Sequence, residues 1–286
     1  MSEMVTQSVS ARSAARSYPW SHWRRQALAI VRLELRKSFG RRAIGLYLLG
    51  LLPVALPILL WISVQIRGSR GEVADLASWY AKLFQGFNLH FVIFLGCVTV
   101  FGSLMRREVL DRTLHYYFLT PVRRELVVAA KYLTGLVVTV IVFGLSTFTT
   151  FVLTYLAQPS DQGFLLRGPG IGHLAAYLMV TALACVGYGA MFLVFSFFFR
   201  SPIVPALMLF GWEWLHPFLP PVLKQLSIIH YLQPLCPVPI PEGPLAILSD
   251  APSPWLAIPG LLLLSALLVA ISAWRARKME VSYEED

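Results

Sequence analysis

Long apolar runs separated by short polar stretches dominate this chain. The runs lie at about 44–66, 83–105, 131–157, 171–199, 202–218 and 254–274. Most of them reach the roughly 20 residues that a helix needs to cross about 30 Å of hydrocarbon. A soluble core could bury one such helix but not six. The pattern therefore predicts an all-α polytopic membrane protein, with six transmembrane helices in a domain over residues 44–275.

The segment before the first run has a different pattern. Residues 1–19 are polar and rich in Ser and Arg, which is typical of a disordered terminus. Residues 20–43 predict an amphipathic helix on the membrane surface, with Arg25, Arg32 and Arg36 on its polar face. Glu34 falls within the apolar arc, where a free carboxylate is costly. It is expected to pair with nearby arginines, to be covered by a protein surface, or to reach the lipid headgroups.

The charge distribution gives the orientation. Hydrophobic residues make up 57% of the chain and charged residues only 14%, so the net charge of +9 reflects topology rather than nucleic-acid binding. With the N-terminus inside, 19 of the 24 Lys and Arg residues fall in cytoplasmic segments. This predicts an integral protein of the cytoplasmic (inner) membrane, with both termini and the tail 276–286 in the cytoplasm.

Motifs for catalysis and for nucleotide binding are missing from the sequence. It contains no G-x-x-x-x-G-K-[ST], no H-E-x-x-H and no G-x-S-x-G. The three cysteines, Cys97, Cys185 and Cys236, form no C-x-x-C pair, and the first two are expected to be packing residues. We therefore expect no enzyme activity, no metal site and no cofactor in this chain.

A few polar residues lie in or near the predicted spans. Glu213, in the fifth run, either lies in the membrane, where a carboxylate suggests function, or is left in water by a bend near Trp212. Together with Asn88 and His90 it is a candidate for a translocation path. His216 and His230 either form a polar cluster with Glu213 or are interfacial residues.

The stretch from Glu108 to Lys131 is the longest charged segment between two apolar runs. It carries both signs of charge, a Tyr116-Tyr117-Phe118 patch and a proline stop at Pro121. A plain linker would be rich in Gly and Ser. The pattern predicts a short cytoplasmic helix that meets either a protein groove or the lipid headgroups.

This stretch resembles the cytoplasmic loop of permease subunits of the ABC-2 class of ABC transporters. The matching positions are Glu108, Thr113-Leu114, Leu119, Thr120, Pro121-Val122, Arg124 and Lys131. The segment Arg32–Arg42, with Glu34, resembles the family's elbow helix, and the six-span layout also matches. Arg112 and Ala130 depart from the family pattern, which often has glycine at both positions.

The resemblance implies a function and a set of partners. A coupling helix would sit in a groove of a separate ABC ATPase, which binds ATP and Mg, and two permeases would form a homodimer or heterodimer in the membrane lipids. The implied coupling residues are Glu108, Asp111, Arg112, Thr113, Leu114, Tyr116, Tyr117, Pro121 and Arg124. The expected function is that of an exporter permease, and the Phe-rich spans favour lipid-like or amphipathic cargo. The alternatives are a membrane-embedded maturation factor or lipid-processing enzyme, and a membrane anchor that does not transport.

Overall fold

The computed structural model describes residues 28–36, 44–67, 73–102, 124–156, 164, 168–199, 201–240 and 252–278. Within these ranges the regular structure is helical, with no β-strand. The predicted all-α class is thus confirmed. The predicted disordered N-terminus, the central coupling stretch and the tail from residue 279 onward lie outside the described residues.

Nine helices are defined in the described part of the chain. Helix α1 covers 28–36. The others are α2 (Ile44–Arg67), α3 (Val73–Phe101), α4 (Arg124–Leu156), α5 (Gly170–Phe198), α6 (Ile203–Trp214), α7 (Pro221–Lys224), α8 (Ile228–Leu232) and α9 (Pro254–Lys278). Short 3₁₀ turns lie at His216–Phe218 and Gln233–Leu235.

Five of these helices, α2, α3, α4, α5 and α9, are long and apolar enough to cross a membrane. The polytopic prediction is therefore confirmed. The predicted fifth span at 202–218 is corrected in its extent, because α6 ends at Trp214 after 12 residues. At 1.5 Å per residue it measures about 18 Å, too short to cross the bilayer as one helix.

Helix α3 begins earlier than its apolar run. The second apolar run begins at about residue 83, whereas Val73–Lys82 is already helical and continues into the span. A run of apolar residues does not reveal this segment because it is amphipathic. Leu76 and Tyr80 are buried, but the segment as a whole is only weakly apolar. Between Leu83 and Ile93 the helix is π-helical, a rare geometry that is frequent at functional sites.

The first four long helices alternate in direction, and α9 runs parallel to α5, since Arg275 near its end lies above Phe198 at the end of α5. Tyr80 of α3 contacts Phe151 of α4, and Phe101 contacts Tyr132, so the two helices are antiparallel. Helix α5 is also antiparallel to α4, since its Tyr177 contacts Phe151 and its Val186 carbonyl accepts a hydrogen bond from Tyr132. We call the end of the bundle where α4 begins and α9 ends the terminal end, and the other the opposite end.

Aromatic side chains fill the core between α3, α4 and α5. Phe94 packs edge-on against Tyr188 and Phe192, at ring-centroid distances of 5.4 and 5.1 Å. Two further rings of this core, Phe143 and Phe101, pack directly against glycines. A methyl group at Gly96 would overlap the Phe143 ring, and one at Gly189 would come within 2.7 Å of Phe101. Gly96 of α3 and Gly189 of α5 thus permit close approach of neighbouring helices. Cys97 and Cys185 are buried packing residues, as expected.

Candidate functional site

Most residues of the predicted coupling site lie outside the described part of the chain. These are Glu108, Asp111, Arg112, Thr113, Leu114, Tyr116, Tyr117 and Pro121, and Arg25 of the predicted elbow helix is also outside it. Arg124 is the first residue of α4. Their roles stay predictions, and the structure instead describes the helices on either side of this stretch.

The face of α1 that packs against the protein contains the predicted acidic position. Ile30, Val31, Glu34 and Leu35 are half-buried, and Leu35 packs against the main core. Glu34 Oε1 lies 3.6 Å from Nζ of Lys131 on α4. Of the three expectations for Glu34, the structure therefore supports cover by a protein surface, and Lys131 is a partner of its carboxylate.

The two arginines predicted for the polar face of α1 are exposed. Arg32 and Arg36 lie away from the half-buried residues, beside the exposed Leu28 and Leu33. This face is free to meet headgroups or a partner protein.

A second ion pair lies at the same end of α4. Glu125, the second residue of the helix, pairs with Arg277 in the last turn of α9. Arg275 lies 5.5 Å above the ring of Phe198, the last residue of α5. The beginning of α4 is thus in contact with α1 on one side and with the end of α9 on another.

Glu213 is buried, with only 2% of its surface exposed, and its carboxylate is fully engaged by another helix. Oε2 accepts hydrogen bonds from the Ser227 hydroxyl at 2.6 Å and the Ile229 N–H at 3.4 Å, and Oε1 accepts one from the Ile228 N–H at 3.0 Å. The first N–H groups of a helix have no partner within it. Glu213 of α6 therefore caps α8.

The histidines near Glu213 are brought together. The rings of His216 and His230 are 5.9 Å apart, and His216 and Lys224 are both buried. Nε2 of His216 has no hydrogen-bond partner within the described residues. This arrangement favours the predicted polar cluster over two separate interfacial residues.

Asn88 and His90 lie in the π-helical part of α3 and face different neighbours. Asn88 is buried and donates to Thr147 Oγ1 of α4 at 3.2 Å, and Thr147 in turn lies 3.1 Å from Thr181 Oγ1 of α5. His90 approaches Trp214, at 6.2 Å between ring centroids. Only His90 therefore lies beside the Glu213 region, whereas Asn88 belongs to a polar contact between three helices.

Sequence reasoning missed that three-helix contact. Thr147 and Thr181 looked like ordinary residues of apolar spans. The sequence did contain a signal that one face of α4 is polar, because Ser146, Thr150 and Thr154 recur at intervals of four residues. Each of these hydroxyl groups donates a hydrogen bond to a backbone carbonyl group. In the described part of the chain, no cluster of three or more His, Cys, Asp or Glu residues could hold a metal ion.

The arrangement of long apolar helices with charged contacts at one end suits a membrane transport component. Comparisons with curated proteins and with solved structures gave no match. A comparison with family models matched residues 30–211 to the model described as ABC-2 family transporter protein. The match extends from α1 to α6 and covers more than half of the 286 residues. This chain therefore belongs to the ABC-2 family of transporter proteins.

Proposed function

We propose that this chain is the membrane-spanning permease subunit of an ABC exporter. ATP hydrolysis by a separate ATPase subunit drives substrate across the cytoplasmic membrane, and a second permease completes the transporter as a homodimer or heterodimer. The family match is the observation that carries this proposal.

The form of α4 supports a role in coupling. This helix begins at Arg124, at the end of the predicted coupling stretch, and continues without a break for 33 residues. Its length of about 50 Å exceeds the bilayer thickness. A movement imposed on its first turns by a docked ATPase would therefore be carried along one rigid helix to the opposite end.

Both termini lie in the cytoplasm in this proposal. The Lys and Arg distribution supports this, as does the meeting of α1 and the last turn of α9 at the start of α4. Two termini on one side require an even number of crossings, so the chain between α5 and α9 must cross the membrane once.

Helices α6 and α8 make that sixth crossing as a broken span. Helix α6 starts at the terminal end, where Pro202 approaches Gly102, and Glu213 joins it to α8. Beyond α8, the Val238 carbonyl accepts a hydrogen bond from Gln85 of α3. Non-helical backbone at membrane depth is tolerated where it is buried in protein, and the cap on α8 meets that condition.

The enzyme alternative is not favoured, because the family match is to a transporter protein. A groove between α2 and α4 is lined by Pro57, Ile58, Trp61, Leu153 and Leu156. These side chains offer no acid, base or nucleophile.

The proposal is tested by a pull-down of the ATPase. Reversing Glu108 and Asp111 to Lys, together with Tyr116→Ala, is expected to detach the ATPase in detergent while the spans stay folded. The matched control is Glu72→Lys and Asp75→Lys with Tyr47→Ala, which changes two acids at the same spacing and one tyrosine outside the coupling stretch. Equal retention of the ATPase by both variants would rule out the coupling role of the stretch.

A further inference from the structure

A buried lysine marks the contact between α1 and α4. Only 1% of the Lys131 side chain is exposed, and 15% of Glu34. Removing a charged amine from water is unfavourable unless an opposite charge and hydrogen bonds replace the water. The carboxylate of Glu34, 3.6 Å away, supplies that opposite charge.

Helix α1 needs such a contact. A helical segment of nine residues is too short to be stable in isolation, so residues 28–36 depend on contacts with the rest of the protein. In this segment Leu28 and Leu33 are exposed, and Ile30, Val31 and Leu35 are only half-buried. The ion pair lies among these half-buried residues, so it contributes to the attachment of the segment.

The neighbouring ion pair provides a contrast on the same helix. Glu125 and Arg277 have side-chain exposures of 34% and 61%. An exposed pair contributes little and is screened by salt, whereas breaking a buried pair leaves an uncompensated charge. The two ion pairs at the start of α4 therefore differ in burial. Of these two, the buried pair of Glu34 and Lys131 is the one whose loss is expected to weaken the attachment of a neighbouring helix to α4.

We infer that Glu34 and Lys131 are positioning residues that fasten α1 to α4, so that the two helices move as one unit. The ATP-driven part of this inference rests on the proposed function. In that setting, movement of α4 carries with it the segment of α1 that exposes Arg32 and Arg36, and that face changes its position together with the span.

Hydrogen exchange of the full chain in nanodiscs of phosphatidylethanolamine and phosphatidylglycerol tests the attachment. The single variants Glu34→Lys and Lys131→Glu are expected to raise amide exchange in residues 28–36 by about tenfold or more. The double variant E34K/K131E is expected to return it close to the wild-type rate. Glu34→Gln, which removes the charge but keeps the shape, is expected to raise exchange while gel filtration stays unchanged.

Glu125→Lys is the matched control, because it disrupts the exposed pair on the same helix and should leave exchange in α1 unchanged. Wild-type exchange in all the single variants would overturn the inference and show that packing and headgroups hold α1. A double variant that stays as unprotected as the single variants would overturn it as well.

Steady-state ATP hydrolysis by the complex with the ATPase tests the coupled movement. The single variants are expected to lower kcat several-fold at unchanged KM for ATP, and the double variant to restore it. If amide exchange in residues 28–36 changes but kcat does not, the attachment of α1 to α4 stands and the coupled movement is overturned. A wild-type chain that binds no ATPase would overturn the proposed function while leaving the exchange result intact.

Discussion

At the scale of single residues, Glu213 shows how a buried carboxylate is accommodated among apolar helices. Its two oxygens accept three hydrogen bonds, and two of these come from backbone N–H groups at the start of α8. In a bilayer, unsatisfied backbone groups cost several kcal/mol each. The carboxylate is therefore explained by the break between α6 and α8, where it caps the start of α8. No contact with a transported substrate is needed to account for it.

Glu213→Ala is expected to destabilise the protein by at least about 3 kcal/mol, because it leaves the three donors on Ser227, Ile228 and Ile229 without their acceptor. Ser227→Ala, which removes one of the three, should cost about 1 kcal/mol. Thermal unfolding in detergent measures both effects. Leu215→Ala, at an exposed neighbouring position, is the control. Equal stability of the Glu213→Ala and Leu215→Ala variants would show that the cap contributes little.

At the scale of elements, the close approach of α3 to α4 depends on Gly96, which has no side chain. Phe143 is fully buried against Gly96, and its ring occupies the space that a methyl group on Gly96 would need. The adjacent Gly144 has no atom within 4 Å of the corresponding position. Gly96 and Gly144 therefore allow the same substitution to be compared at a crowded and at an open position.

Gly96→Ala is expected to destabilise the protein by about 1–3 kcal/mol through overpacking. Gly144→Ala should be neutral or stabilising by about 0.5–1 kcal/mol, since alanine favours the helix. Adding Phe143→Leu to Gly96→Ala should recover part of the loss by making room for the methyl group. Thermal unfolding of the three variants and the wild type checks this, and equal effects of Gly96→Ala and Gly144→Ala would contradict the packing argument.

The elements also show what could be predicted from the sequence. Runs of about 20 apolar residues revealed α2, α4, α5 and α9, because span length is fixed by the bilayer. The break after Trp214 was hidden, since Leu215 and Phe218 continue the apolar run. Only Pro217, Pro220 and Pro221, which cannot continue a regular helix, signalled it locally.

The candidate sites were predictable only in part, and the reason is tertiary contact. Glu34 stood out as an acid in an apolar arc, but no local pattern connects it to Lys131, which is distant in the sequence. Asn88 was noticed as a polar residue in a span, yet its partners Thr147 and Thr181 come from two other helices. Residue type could show that a partner is needed, but only the packing of helices could show which one.

At the scale of the whole molecule, the directions of the helices constrain the topology. Helix α5 ends and α9 also ends at the terminal end, where Arg275 lies above Phe198. Since α9 is a single long helix, it begins at the opposite end. The segment from Ser201 to Ser253 must therefore connect the two ends of the bundle, even though its described residues, 201–240 and 252–253, contain no helix long enough to cross.

This connection predicts that Ser201 and Ser253 lie on different sides of the membrane. With the buried native cysteines replaced by alanine, Ser253→Cys is expected to react with a membrane-impermeant maleimide on intact cells. Ser201→Cys should react only after permeabilisation, because the proposed topology puts this end of α6 in the cytoplasm. The two positions are matched, since both are serines just outside apolar helices and the substitution barely changes side-chain size. Labelling of both cysteines from the same side would exclude the sixth crossing, and with it the placement of both termini in the cytoplasm.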